Sequence, residues 1–378
     1  MKLLATFLIL CAVGQPDIHA QTWEPGSVRL MQRVDTTHPV IRRVLQQWVD
    51  SLALWRDGAA DFRRSRGVIS SSKHVIQDWF SQSSRVIADY SATVLSTEFD
   101  GTGWVVRTLF AFQRQGSTDI LPLGMFRCRF VKVSSSQAPS MLVVEENITS
   151  QTQHWSSTRI DRMTYIHHPT EALDTARAEL CGGFLRDVSD RFGLRAPESI
   201  TVILARSRDE LCGLLGVEYY AFPPQAISFP EENTILEASS EVFHPHELAH
   251  VIFKDFNSAD PVLREGIATL VGGSGKLDFA DALAQYLDAR SGSRIPSFVE
   301  VFTDQGIDQS DQYILGAVIC DFVLRYHGRA MLLELLHMDR PSEVMLTLCN
   351  LLGYDIEDRQ GSMRPLAEAA HARNSSVR

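Results

Sequence analysis

The chain has 378 residues, 44% hydrophobic and 22% charged, which is long enough for two domains and unlike a disordered or collagen-like composition. Lys and Arg number 36 against 46 Asp and Glu, a formal charge of −10 with no long basic run. That balance repels a polyphosphate backbone and argues against nucleic acid as a partner.

After Lys2 one apolar run, Leu3 to Val13, gives way to small residues and then a polar stretch from Gln15 to Glu24. This is the pattern of a secretory signal peptide over residues 1–20, so an exported protein, periplasmic or secreted, is expected. The run is about half the roughly 20 residues a spanning helix needs, so no integral membrane segment is expected once it is removed. Cleavage after Ala20 puts a bulky Ile18 three residues back, and cleavage after Gly14 puts Ala12 there; both stay open. Leu8-Ile9-Leu10-Cys11 is a weak lipoprotein box, because Leu10 stands where a small residue is needed. Five cysteines remain beyond this segment, without C-x-x-C spacing. All but Cys128 sit at apolar helix-face positions, so buried free thiols are expected rather than catalysis or disulfides.

All six tryptophans lie between Trp23 and Trp155, a composition shift that suggests two modules, 21–165 and 166–378. In the first, apolar residues from Val40 to Trp55 recur at helical spacing behind Pro39, with Gly58 available to end the helix. Residues 85–99, 103–113, 125–133 and 141–149 are rich in β-branched and aromatic side chains and predict an antiparallel sheet. The expected fold class is α+β, with a helix-plus-sheet module, NTF2-like by analogy, ahead of a mainly helical domain with a small sheet. Its aromatic stripe reads as core. In the second module residues 172–192 predict a helix, 199–205 a strand and 208–215 a short helix. Residues 225–229 and 234–236 read as short strands, and from Ser239 onward the periodicity is helical.

His246-Glu247-Leu248-Ala249-His250 is an H-E-x-x-H match. On a helix, imidazoles four residues apart share a face and can bind one Zn²⁺, while Glu247 leans over the open coordination position as a general base. Zinc suits this chemistry because it lowers the pKa of its bound water to about 7. With this chain's His and Glu frequencies the pattern arises by chance in about 2% of such sequences, so its context decides. The surrounding Leu248, Ala249, Val251, Ile252 and Phe253 make the helix apolar, as a buried active-site helix would be.

A catalytic zinc site wants a third protein ligand. A metzincin would carry Gly and His at positions 253 and 256, where Phe253 and Phe256 stand. Downstream, Asp260 can cap and Pro261 can open a second helix. With a first helix ending near Asp255, a short turn puts His250 and Glu265 at similar heights. Glu265 can thus complete a His₂Glu site, with Asp255 and Asp260 as rivals whose positions at helix ends also suit capping or solvent exposure.

At H-E-L-A-H and at Leu263 to Ala268, L-x-E-G-x-A, the chain resembles the gluzincins, in particular the bacterial peptidase MA-like families. The resemblance spans roughly residues 160–360. It implies that His246, His250 and Glu265 bind zinc and that Glu247 is general base and acid. Thermolysin-like relatives place an Asp four residues after the ligand Glu to orient a His; here that position is Thr269, which leaves the support of the ligands unassigned. Tyr313 matches the place of a family tyrosine that donates to the oxyanion, although ordinary packing at a helix start explains it as well. His244 reads as surface or capping, His327 as a helix-end cation, and Gly272 to Lys276 as a loop lacking the phosphate-loop pattern. Residues 226–229 fit either an edge strand that takes an extended peptide or a structural hairpin.

The function this predicts is an exported zinc metallopeptidase acting on a peptide or protein substrate. The competing reading is an exported binding protein with a structural zinc helix and an N-terminal recognition module. Glu247 weighs against it, since a merely structural site has no use for that carboxylate.

Overall fold

The computed structural model describes residues 21–23, 28–56, 91–113, 120–135, 138–144, 147–221, 223–303, 308–338, 340–353 and 363–375. The expected signal peptide and Gly58 lie outside them. Among the described residues no helix is long and apolar enough to cross a membrane.

The chain divides into two units that are not consecutive in sequence: residues 1–153 with 207–224, and residues 154–206 with 225–378. The division expected at residue 165 therefore takes a different form, and strand pairing gives the reason. A hairpin at 156–167 belongs to the second unit's sheet, whereas a strand at 217–220 returns to the first unit's sheet.

The first unit contains strands β1 (Gln21–Trp23) and β2 (Val28–Leu30), helix α1 (Pro39–Arg56), and strands β3 (Ser91–Phe99), β4 (Gly103–Gln113), β5 (Ile120–Ser135) and β6 (Ala138–Val144). Helix α2 (Asn147–Thr152) ends its first pass. Residues 147–149, expected to continue the last strand, start this helix instead; the Ser150 and Thr152 hydroxyls bond back to the carbonyls of Asn147 and Ile148, satisfying locally what a ladder would have taken. The sheet runs β1-β2-β3-β4-β5, with β6 also pairing β5; β2 and β3 are parallel and the remaining pairs antiparallel. The apolar stripe of α1, Ile41, Val44, Leu45, Trp48, Val49 and Leu52, is buried. Trp48 stands edge-on to Phe130, and its indole N–H donates to the buried Thr108 hydroxyl at 2.7 Å.

The second unit opens with strands β7 (Ser156–Ile160) and β8 (Met163–His167), helix α3 (Thr175–Phe192) and strand β9 (Ile200–Leu204). The chain then crosses to the first unit for helix α4 (Arg208–Leu214) and strand β10 (Val217–Tyr220), which pairs antiparallel with β5. It returns as strands β11 (Ala226–Phe229) and β12 (Thr234–Glu237), completing a sheet of order β11-β12-β9-β8-β7 in which β12, β9 and β8 are parallel. Among the described residues eight helices follow: α5 (Pro245–Ile252), α6 (Pro261–Gly272), α7 (Phe279–Ala289), α8 (Phe298–Thr303), α9 (Gln309–Tyr326), α10 (Gly328–His337), α11 (Pro341–Leu352) and α12 (Arg364–Ser375). One continuous apolar core joins α3, the inner face of the sheet, α5, α6 and α9. The fold is thus mixed helix and sheet, of the α+β class. Cys128, Cys181, Cys212, Cys320 and Cys349 are all free and buried, as the sequence suggests.

Candidate metal centre

Pro245 opens α5 and sets His246 in its first turn, four residues ahead of His250, so both imidazoles leave one face. Leu248, Val251 and Ile252 commit the rest of the helix to the core. The helix ends at Ile252, and a 3₁₀ turn over Lys254–Phe256 carries the chain round. Asp260 caps the next helix by accepting the Val262 N–H at 2.9 Å, and Pro261 occupies its first turn. Helix α6 then runs back along α5, bringing Glu265 to the imidazoles.

The three donor atoms meet closely. Glu265 Oε2 lies 3.3 Å from His246 Nε2 and 3.2 Å from His250 Nε2, and the two nitrogens are 3.2 Å apart. Ligands about 2.0–2.1 Å from a tetrahedral ion stand about 3.3 Å from each other, so these separations are the edges of a zinc tetrahedron. Among the described residues this is the cluster of His, Cys, Asp and Glu able to hold a metal. Of the three acids considered from sequence, Glu265 reaches the imidazoles; Asp255 is exposed in the 3₁₀ turn and Asp260 is a cap.

Charge and burial oppose each other here. Burial disfavours a charge on His246, but the Glu265 and Glu247 carboxylates outweigh it and lift its pKa to about 9. Burial would likewise raise the Glu265 carboxyl, yet the His250 charge and hydrogen bonds with both imidazoles hold it well below the usual range. The second Glu265 oxygen faces the Arg264 guanidinium at 3.6 Å. Such a proton-hungry set of two nitrogens and a carboxylate is also what a divalent cation replaces protons on.

Glu247 is buried on α5 beside this cluster and outside the donor set. Tyr313 lies in the first turns of α9 with its ring stacked on His246, centroids 5.6 Å apart. The start of α9 is held by Asp311, which accepts from Tyr286 at 2.6 Å and from Arg290 at 2.8 Å. His244, expected at the surface or as a cap, stands at the N-cap position of α5 without a side-chain capping bond, and its ring turns inward, 3.6 Å from the buried Glu237 carboxylate. His327 ends α9 against Phe322, away from the donor cluster.

Sequence reasoning missed two contributors. One is the carbonyl of Gly273, a backbone group at the end of the same helix that carries Thr269, which lies 3.0 Å from His246 Nδ1. The other is the pair Gly266 and Gly316, whose backbones meet between α6 and α9. The Gly in L-x-E-G was the available signal for the second; a carbonyl acceptor leaves none.

No protein-family model matches the chain, and no curated protein matches it in sequence. Among solved structures, a mutant M1 zinc metallopeptidase from Deinococcus radiodurans bound to a Tyr-Ser-Ala substrate matches at 18% identity and a TM-score of 0.34, covering 72% of this chain and 60% of that one. A two-domain M1 zinc metallopeptidase mutant bound to L-tryptophan matches at 15% identity and a TM-score of 0.34, covering 74% of this chain and 63% of that one. This chain spans less than two thirds of the length of either. Likeness that loose assigns no activity; the chemistry has to come from this chain's own side chains.

Proposed function

We propose that the second unit is a zinc-dependent peptidase that hydrolyses peptide bonds. The observation that carries this reading is the set of donor atoms at tetrahedral-edge spacing with a carboxylate, Glu247, one residue from a ligand but outside the set. His246, His250 and Glu265 would hold the ion, leaving a fourth position open as catalytic sites do. Bound zinc supplies Lewis acidity, which makes water acidic enough to ionise near neutral pH and polarises a carbonyl.

The remaining work falls to the protein. Glu247 takes a proton from the attacking water and passes it to the leaving amine, a general-base and then general-acid role. Tyr313 donates to the developing oxyanion, its ring steadied against His246. Strand β11 lies at an edge of the five-stranded sheet and packs against α5, so an extended peptide pairing with it would pass beside the donor cluster. For the first unit we keep the NTF2-like reading, supported by a long helix laid on a bulged antiparallel sheet.

The test is metal analysis of purified protein followed by digestion of a broad peptide library with and without chelator. Stoichiometric zinc and chelator-sensitive cleavage are expected. Glu247→Gln should keep its zinc and lose about 10²- to 10⁴-fold in turnover, the usual weight of a general base. Unchanged turnover would remove Glu247 from the mechanism, and full zinc occupancy in His250→Ala would remove His250 from the ligand set.

A further inference from the structure

The run Gly272-Gly273-Ser274-Gly275-Lys276 takes no part in the proposed hydrolysis, yet its Gly273 carbonyl lies directly against the first imidazole. We propose that this turn is a positioning element of the metal centre: the Gly273 carbonyl fixes the tautomer and ring plane of His246, and thereby how tightly metal is held. The inference rests on the metal-binding reading of the preceding subsection.

A carbonyl oxygen only accepts, so the His246 nitrogen 3.0 Å from it, Nδ1, has to carry the proton. That leaves the lone pair on Nε2, the atom facing Glu265 and His250. A metal-ligating imidazole needs this partner on its other nitrogen to hold its orientation and raise its basicity. Here the partner belongs to the main chain.

The carbonyl is aimed by a backbone that only glycine adopts readily. Gly273 has φ 79° and ψ −169°, a conformation essentially confined to glycine, and its N–H bonds the Thr269 carbonyl at 2.9 Å. Paired bonds between Ser274 and Leu277, at 3.0 and 3.1 Å, close the turn immediately behind it. A Cβ on Gly273 would stand 2.1 Å from the Leu277 carbonyl oxygen, so a side chain there forces the turn open. Gly272 governs the approach itself: a Cβ on it would fall 2.5 Å from the backbone nitrogen of His246 and 2.6 Å from its Cα. A helix end alone explains why Gly273 is glycine. It does not explain a carbonyl spent on an imidazole, or a second glycine pressed against the backbone of that same histidine.

The test uses the full chain. In the zinc-loaded wild type, ¹⁵N-histidine NMR should report His246 protonated at Nδ1 and ligated through Nε2. Gly272→Ala and Gly273→Ala should bind zinc about 10- to 100-fold more weakly by chelator competition, the usual weight of such a supporting group, with a shifted cobalt(II) absorption spectrum. Gly292→Ala controls for strain at a positive φ: Gly292 has φ 76° and open space around its Cβ, and its variant should keep wild-type affinity and spectrum. Ligation through Nδ1 overturns the proposal, even where the glycine variants fail to fold. Folded Gly272 and Gly273 variants with wild-type affinity and spectrum overturn it as well, while leaving the metal centre standing. A wild-type chain that takes up no zinc overturns the metal centre, and the positioning role with it.

Discussion

A Cβ placed on Gly266 would fall 2.4 Å from the carbonyl carbon of Gly316, so the backbones of α6 and α9 touch with no side chain between them. The reverse is equally tight: a Cβ on Gly316 would lie 2.4 Å from the Val262 carbonyl oxygen. Glu265 precedes the first glycine by one residue and Tyr313 the second by three, so this crossing sets how far apart the two helices hold their functional side chains. Two effects oppose each other in a Gly→Ala change here. Helix propensity favours Ala by about 1 kcal/mol, while overpacking against backbone that cannot rotate aside costs about 3 kcal/mol. Gly266→Ala and Gly316→Ala should therefore each lose about 2 kcal/mol in urea unfolding. A gain in stability would mean that the helices stand farther apart than described.

Tyr313 offers a cleaner distinction, because its ring and its hydroxyl have different jobs. If the hydroxyl donates to the oxyanion, Tyr313→Phe should lower kcat by about 10²- to 10³-fold with zinc content unchanged. The ring's contact with His246 survives that substitution. Wild-type kcat in Tyr313→Phe would reduce the residue to packing.

The Glu237 carboxyl makes stability depend on pH. Burial, with added repulsion from Glu247 and Glu241, pushes its pKa up to about 8 against the ordinary 4.5, despite a 2.8 Å hydrogen bond from Ser239 and another from Gln225. Below about pH 4 the native and unfolded chains are both protonated there and the group contributes nothing. Between 4.5 and 8 the unfolded chain releases a proton that the native state keeps, so stability falls as pH rises, by at most about 1.4 kcal/mol per pH unit. Above 8 the deficit is constant. Glu237→Gln should flatten that slope and be more stable than wild type at pH 8, as urea titrations at several pH values would show. An unchanged slope would place the pH dependence elsewhere.

In the first unit, the bond from Trp48 to Thr108 joins α1 to the sheet in a fully buried setting. Trp48→Phe strands the hydroxyl, at about 1–3 kcal/mol for an unsatisfied buried group, whereas adding Thr108→Val removes the partner as well. The double variant should therefore be less destabilised than the sum of the singles by about 1 kcal/mol. Strict additivity would show that the two groups do not depend on each other.

What the sequence makes readable follows from how local each interaction is. The meeting of His246, His250 and Glu265 depends on a four-residue helical spacing and one short turn, with Asp260 and Pro261 marking where the second helix begins. Strand β4 falls where its β-branched and aromatic run predicts, and helix α1 starts at Pro39 as its apolar spacing requires. The pairing of Val217 with Phe126 joins residues ninety-one apart through backbone groups that any sequence provides, so β10 leaves no pattern to find. The same holds for the Gly273 carbonyl. Strands β7 and β8 alternate in burial but sit astride the place where composition shifts, and a boundary read from tryptophans cuts through them.

That interleaved path has a practical side. Because residues 154–206 belong to one unit and 207–224 to the other, no single scission separates the two bodies. A fragment beginning at residue 166 would discard all of β7 and three of the five residues of β8, the strand beside β9, and carry along β10 bereft of its neighbour. Dissecting this protein calls for an internal excision with a short splice in addition to a terminal truncation.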